Sequence, residues 1–344
     1  RPVGWGAEGL MGGSSSRHQP WSWNGFVLRP EDSDLSALRN PSAPAPANLA
    51  EVKRWINFHQ KVVRVGLLSL LALIVLVVVL TTMRQGGGVK GLAKPSSYTW
   101  AHAVNSKPEL QVTLAPDSGY DAIEADIIFS ERTQGPVMGH PPATDGDLSL
   151  QEFLETLVEQ GFQGDTSAPN SNIVKLDFKS AKAFESSRGL INEFVAKTLT
   201  PGTLFLNADI LQGPCDQPCP ANFNPSEFLD QAAEVQGAVL SVGWTTGGDN
   251  CEYTEAMVDE MLRLLPDRAV TFPIKATCLK RSWGNLKKLL HKENHGLTLW
   301  WSQTKLNQDE IGWMYDTLES DPGLRDRTFY DILGFKEFLD SRKG

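Results

Sequence analysis

The sequence predicts an α/β chain: a closed (β/α)8 TIM barrel preceded by one transmembrane helix and a disordered N-terminal tail. Three observations lead there. Short apolar runs alternate with amphipathic helical stretches over about 220 residues, the pattern of a barrel with parallel strands. An apolar stretch without charge, Val65 to Met83, comes before them. The first 60 residues are poor in core-forming side chains. The expected units are therefore a tail over 1–61, a membrane helix over 62–84 and a barrel over 98–333.

In the tail, "MGGSSSRHQP" and "LRNPSAPAPANLA" are rich in Gly, Ser, Pro and Ala, a composition that buries too little apolar surface to stay ordered. Nineteen residues from Val65 at 1.5 Å rise cover about 28 Å, close to the hydrocarbon thickness of a bilayer. Lys53, Arg54, Lys61 and Arg64 precede this stretch, against Arg84 and Lys90 after it. The positive-inside rule then puts the N-terminus in the cytoplasm and the barrel in the lumen or outside the cell. Cys215, Cys219, Cys251 and Cys278 all lie beyond the span. Their even number suits two disulfides in an oxidising compartment, with the pairing open. "CDQPC" has no second pair of ligands to make a zinc site. The net charge of −9 argues against nucleic acid as a partner.

The expected strands, in order, are Thr99–Ala103, Ala122–Phe129, Pro136–His140, Ile173–Phe178, Thr203–Asp209, Ala238–Trp244, Ala269–Lys275 and Leu297–Ser302. Helical stretches such as "SLQEFLETLVEQG" and "YTEAMVDEMLRLL" separate them. Ser149 with Glu152 forms a capping-box pattern, and Gly161 suits the residue that ends that helix. An open doubly wound sheet fits less well, because the first β-to-α connection lacks a Gly-rich phosphate loop.

In a barrel the C-terminal strand ends form the active site, and polar residues collect at those ends here. Glu124 and Asp126 are two apart and share a face. Two carboxylates in a confined space disfavour ionisation, and a hard divalent cation, one Mg²⁺ or Ca²⁺, resolves the conflict with Asp177 as third ligand. His102 and His140 are candidates for nucleophile, general base or general acid, and Lys179 for a cation facing an anionic substrate. Asn105, Lys175, Asn207 and Trp300 are candidate substrate-binding groups. Asp209 and Trp244 also lie at strand ends, Asp209 to support the ligand groups or cap its strand and Trp244 to pack at the rim. The set suits metal-assisted attack on a phosphodiester.

The segments "HAVNS", "YDAIEADI", "PVMGHPPATDGDLSLQEFLE", "IVKLDFK", "LNADILQGP" and "LSVGWTT" resemble the menorin-like domain. That domain is in turn similar to glycerophosphodiester phosphodiesterase-like barrels and to sphingomyelinase D phospholipases. The resemblance covers about Trp100 to Asp331. It implies a Mg²⁺-dependent phosphodiesterase site on His102, Glu124, Asp126, His140, Asp177 and Lys179. Two departures stand out: His-Arg-Gly of that superfamily is His102-Ala103-Val104 here, and Pro141 replaces an Asp after the second His. Both remove groups that help hold a phosphate. Two functions emerge as expectations: a membrane-anchored phosphodiesterase acting on a glycerophosphodiester or a lysophospholipid-like molecule, or a cell-surface interaction protein that uses the barrel as a scaffold for a protein partner.

Overall fold

The computed structural model describes residues 94–162, 172–198, 203–248 and 251–343, with 57–58 and 63. The chain divides into units 1–70 and 71–344, and the second carries the barrel. The expected tail, apart from residues 57–58, and the stretch Val65–Met83 lie outside the described residues. No described helix is long and apolar enough to cross a membrane.

Nine strands and nine α-helices are described. The strands are β1 (Trp100–Ala101), β2 (Ala122–Ser130), β3 (Gly135–Met138), β4 (Ile173–Phe178), β5 (Leu204–Cys215), β6 (Val239–Gly247), β7 (Val270–Lys275), β8 (His295–Trp301) and β9 (Thr328–Ile332). The helices are α1 (Lys107–Thr113), α2 (Leu150–Glu159), α3 (Ala181–Thr198), α4 (Pro225–Ala233), α5 (Glu255–Leu264), α6 (Ala276–Leu286), α7 (Gln308–Glu319), α8 (Pro322–Arg325) and α9 (Phe335–Ser341). Parallel pairing runs β1-β2-β4-β5-β6-β7-β8-β9. Helices come after most strands, so the architecture is the expected α/β barrel. No ladder of hydrogen bonds among the described residues joins β9 to β1. There His102 and Asp331 bridge the gap with a 2.8 Å hydrogen bond, and Tyr98 and Trp100 pack on Phe329.

One of the eight expected strands needs correction, and one barrel strand is missing from them. Pro136–His140 is not a barrel strand. As β3 it runs antiparallel to β2, with Ile127 opposite Met138 and Ser130 opposite Gly135. The four residues between β2 and β3 are too few for a parallel crossover, which takes a dozen or more. The eighth barrel strand is β9, which is absent from the strands expected on sequence.

Helix starts obey local chemistry. Ser106 and Ser149 each accept a hydrogen bond from the backbone N–H three residues on, at Glu109 and Glu152, and Gly161 ends the α2 segment at φ +63°. The outer faces of the strands bury Leu, Ile, Val and Phe side chains against the helices.

The inner faces set up the site. At the lower end Ala122, Ile173, Phe205, Val239 and Phe329 close the barrel with an apolar layer. Two residues further along the same strands stand Glu124, Lys175, Asn207, Ser241 and Asp331, all buried and polar. Two further still are Asp126, Asp177, Asp209 and Gly243 on β2, β4, β5 and β6. The interior thus changes from hydrocarbon to acid within four residues of strand.

Candidate functional site

Asp126 and Asp177 are register partners on β2 and β4, and Glu124 pairs with Lys175 two residues below. Glu124, Asp126 and Asp177 each bring a carboxylate oxygen within 4.8 Å of the others. Lys179 bridges two of them, its Nζ 2.7 Å from Asp126 Oδ1 and 2.6 Å from Asp177 Oδ2. Burial would lower the Lys179 pKa, but Asp177, Asp126 and Glu124 outweigh it and hold it well above the ordinary value.

The acids are positioned by neighbours. The Asn105 amide donates from Nδ2 to Asp126 Oδ2 at 2.7 Å and accepts at Oδ1 from the Asp126 N–H at 2.8 Å. Asn207 donates from Nδ2 to Asp177 Oδ1 at 2.7 Å and accepts from Ser241 Oγ at 2.5 Å. The sequence pattern marks both amides as substrate-binding, but their polar atoms are engaged with Asp126, Asp177 and a neighbouring hydroxyl. Ala103 donates its N–H to Glu124 Oε2 at 2.8 Å, and it does so from φ +56°. A left-handed conformation is costly for a residue with a Cβ, and here it aims a backbone donor at an acid.

Burial, then repulsion from Asp126, pushes the Glu124 carboxyl up to about 7. Burial also works to raise Asp177, but Lys179 and Lys175 hold it below the usual range. Asp209, lifted by burial and by Asp177, reaches about 7.

His102 sits just past β1. Its Nδ1 lies 2.8 Å from Asp331 Oδ2 and 3.6 Å from Glu124 Oε2. An ionised carboxylate only accepts, so Nδ1 carries a proton. Burial works against a charged ring, but Asp331 and Glu124 overcome it and lift the pKa to about 10. Asp331 is the residue of the candidate site that sequence reasoning misses. "TFYDI" has the aromatic and β-branched content of a buried strand, and that is the available signal.

The sequence pattern puts His140 beside the acids, at the end of a barrel strand. Its backbone does come close, because Gly139 N donates to Asp126 O at 2.9 Å. Its imidazole, however, is exposed, and Nδ1 donates to Pro141 O at 2.6 Å. Lys175 is 3% exposed and faces the interior beneath the carboxylates. Trp300 is half-buried at the mouth, paired with Lys275 and Asp331. Trp244 points outward and packs on Tyr253 and Phe272.

The donor set fits a hard divalent cation. It is oxygen-only and convergent. Five carboxylates (Glu124, Asp126, Asp177, Asp209, Asp331) face His102, Lys175 and Lys179. With all of them ionised, the excess of negative charge is what one divalent ion neutralises.

Fold and site together define a parallel α/β barrel with an acid–lysine–histidine centre at the C-terminal ends of its strands. A family model described as the Menorin N-terminal domain matches residues 96–334, so the chain belongs to the menorin family. Human Protein FAM151B is 32% identical over 251 residues, covering 69% of this chain and 83% of that protein. Among solved structures, the crystal structure of a "putative glycerophosphodiester phosphodiesterase" from Galdieria sulphuraria matches with a TM-score of 0.44 and 13% identity. That match covers 73% of this chain and 99% of the other.

Proposed function

We propose that this chain is a membrane-anchored phosphodiesterase of the menorin family, with one Mg²⁺ or Ca²⁺ held by Glu124, Asp126 and Asp177. The observation that carries the reading is the convergence of those three acids around Lys179, with His102 beside them. When bound, a hard cation there supplies Lewis-acid polarisation of a phosphoryl oxygen. The chain's own residues do the rest. Lys179 offers positive charge to the phosphate. His102, with Nδ1–H fixed on Asp331, presents its Nε2 to the reacting group as a proton donor or acceptor. The substrate class is a glycerophosphodiester or a lysophospholipid-like molecule, with Trp300 at the mouth.

The anchor is the stretch Val65–Met83, with the barrel in the lumen or outside the cell. The two disulfides, Cys215–Cys219 and Cys251–Cys278, support an oxidising compartment. An Asn-X-Thr acceptor engineered into the exposed end of the barrel domain tests this side: glycosylation agrees, and an unmodified chain in a competent host does not.

One observation favours a second reading, an interaction protein that keeps the barrel as a scaffold. The exposed His140 and the Pro141 next to it leave the second histidine away from the acids. Assay of a phosphodiester panel with His102→Ala as control separates the two. Metal-dependent release that falls at least about a hundredfold in His102→Ala supports the enzyme, and release that ignores the substitution counts against it.

A further inference from the structure

Asp209 stands near the mouth on β5, two residues beyond Asn207 and on the same inward face. Its carboxylate is half-buried, and charge and burial act on it but no hydrogen-bond donor among the described residues does. Each other acid of the site has one. Glu124 takes the Ala103 N–H, Asp126 takes Asn105 and Lys179, Asp177 takes Asn207 and Lys179, and Asp331 takes His102.

The strand beside it makes room. Gly243 is its register partner on β6, and a Cβ there would fall 3.0 Å from Asp209 Oδ1 and 2.7 Å from Pro273 Cγ. Glycine weakens a strand interior and marks a place where another group approaches closely. The same interior holds a second charged group without a hydrogen-bond partner. Lys175 is buried, and its ammonium makes no hydrogen bond among the described residues. Two charged groups without a hydrogen-bond partner among the described residues, set around one group of convergent carboxylates, leave room for a polar ligand that completes them.

We propose that Asp209 is a specificity-determining residue, which accepts a hydrogen bond from a hydroxyl or ammonium group on one alcohol arm of the substrate. This rests on the phosphodiester reading and adds a substrate class to it: diesters whose alcohol carries its own donor. Lys179 and the cation that Glu124, Asp126 and Asp177 would hold take the phosphate, and Asp209, next along the rim from Asp177, takes the arm. A donor-free diester leaves the carboxylate unpaired, and a site built to receive a donor rejects such an analogue.

The test is calorimetric titration of the folded barrel protein, in Mg²⁺, with three esters that differ only in the arm. They are dimethyl phosphate, methyl 2-hydroxyethyl phosphate and methyl 2-aminoethyl phosphate. Wild type binds the donor-bearing esters about ten- to a hundredfold more tightly than dimethyl phosphate, the range of a hydrogen bond to a charged group. Asp209→Ala removes that preference, so the two donor-bearing esters lose more affinity than dimethyl phosphate does, and it does not lower Tm. Asp209→Asn keeps an acceptor but loses the charge, so it weakens the aminoethyl ester more than the hydroxyethyl ester.

A preference that survives in Asp209→Ala overturns the proposal and leaves the phosphodiester reading standing. So does a uniform loss of binding with a lowered Tm, which marks a structural role. Absence of Mg²⁺-dependent binding of all three esters to wild type overturns both.

Discussion

His102 and Asp331 show at the residue scale how the site is tuned. The imidazole pKa stands at about 10 against an ordinary 6.5, because two carboxylates outweigh its burial. A raised histidine stabilises the fold fully below pH 6.5, and that stability is lost as pH rises through about 10. Asp331→Asn removes one of the two acids, so the His102 titration followed by NMR in metal-free protein moves down towards the ordinary range. An unmoved titration would show that Asp331 does not govern the ring. Glu124, Asp126, Asp177, Lys179 and His102 are legible in the sequence because charged residues two apart in apolar runs have no place in an ordinary strand core. The amides are harder to read. Nothing in "HAVNS" or "LNAD" says whether Asn105 or Asn207 faces substrate or a carboxylate, since that depends on which strands become neighbours.

Elements explain the misplaced strand and the misplaced histidine together. Periodicity marks Pro136–His140 as extended but says nothing of its direction. The four-residue connection after Ser130 holds the answer, since only a hairpin closes so short a gap. Counting that run as a barrel strand fills the quota of eight, so "TFYDI" after the short helix α8 drops out, and Asp331 with it. At the opposite end of the barrel, β8 begins with His295, 1% exposed. Its Nδ1 donates to Leu289 O at 2.8 Å, and Nε2 has no partner among the described residues. Burial holds its pKa below 6.5. For a lowered histidine the native state binds fewer protons, so stability is complete above pH 6.5 and falls as pH drops through the folded pKa. Urea unfolding at about pH 7.5 and about pH 5.0, on either side of the ordinary histidine range, therefore shows a larger loss for wild type than for His295→Asn, whose amide can replace the Nδ1–H donor. Equal losses would place the acid sensitivity elsewhere.

Across the whole molecule, two cross-links and one charge balance matter most. Cys251–Cys278 closes a segment with a separation of 27 and Cys215–Cys219 one of 4. In the chain-entropy model these contribute roughly 3.5 and about 2 kcal/mol. Replacing Cys251 and Cys278 by Ala thus lowers denaturant stability more than replacing Cys215 and Cys219, and the reverse order would show that local packing at the β5 tip dominates. The barrel itself is legible from alternating runs and helices, whereas its seam between β1 and β9 is not, because a two-residue strand carries no periodic signal. The excess negative charge in the mouth, read as a seat for one divalent cation, underlies the whole proposal. Calorimetric titration of the metal-free barrel protein with Mg²⁺ and Ca²⁺, beside Asp126→Ala, decides whether that seat exists. Wild type is expected to bind one ion per chain, and Asp126→Ala to bind it at least about tenfold more weakly. No binding by wild type, or the same binding by Asp126→Ala, would contradict the metal site.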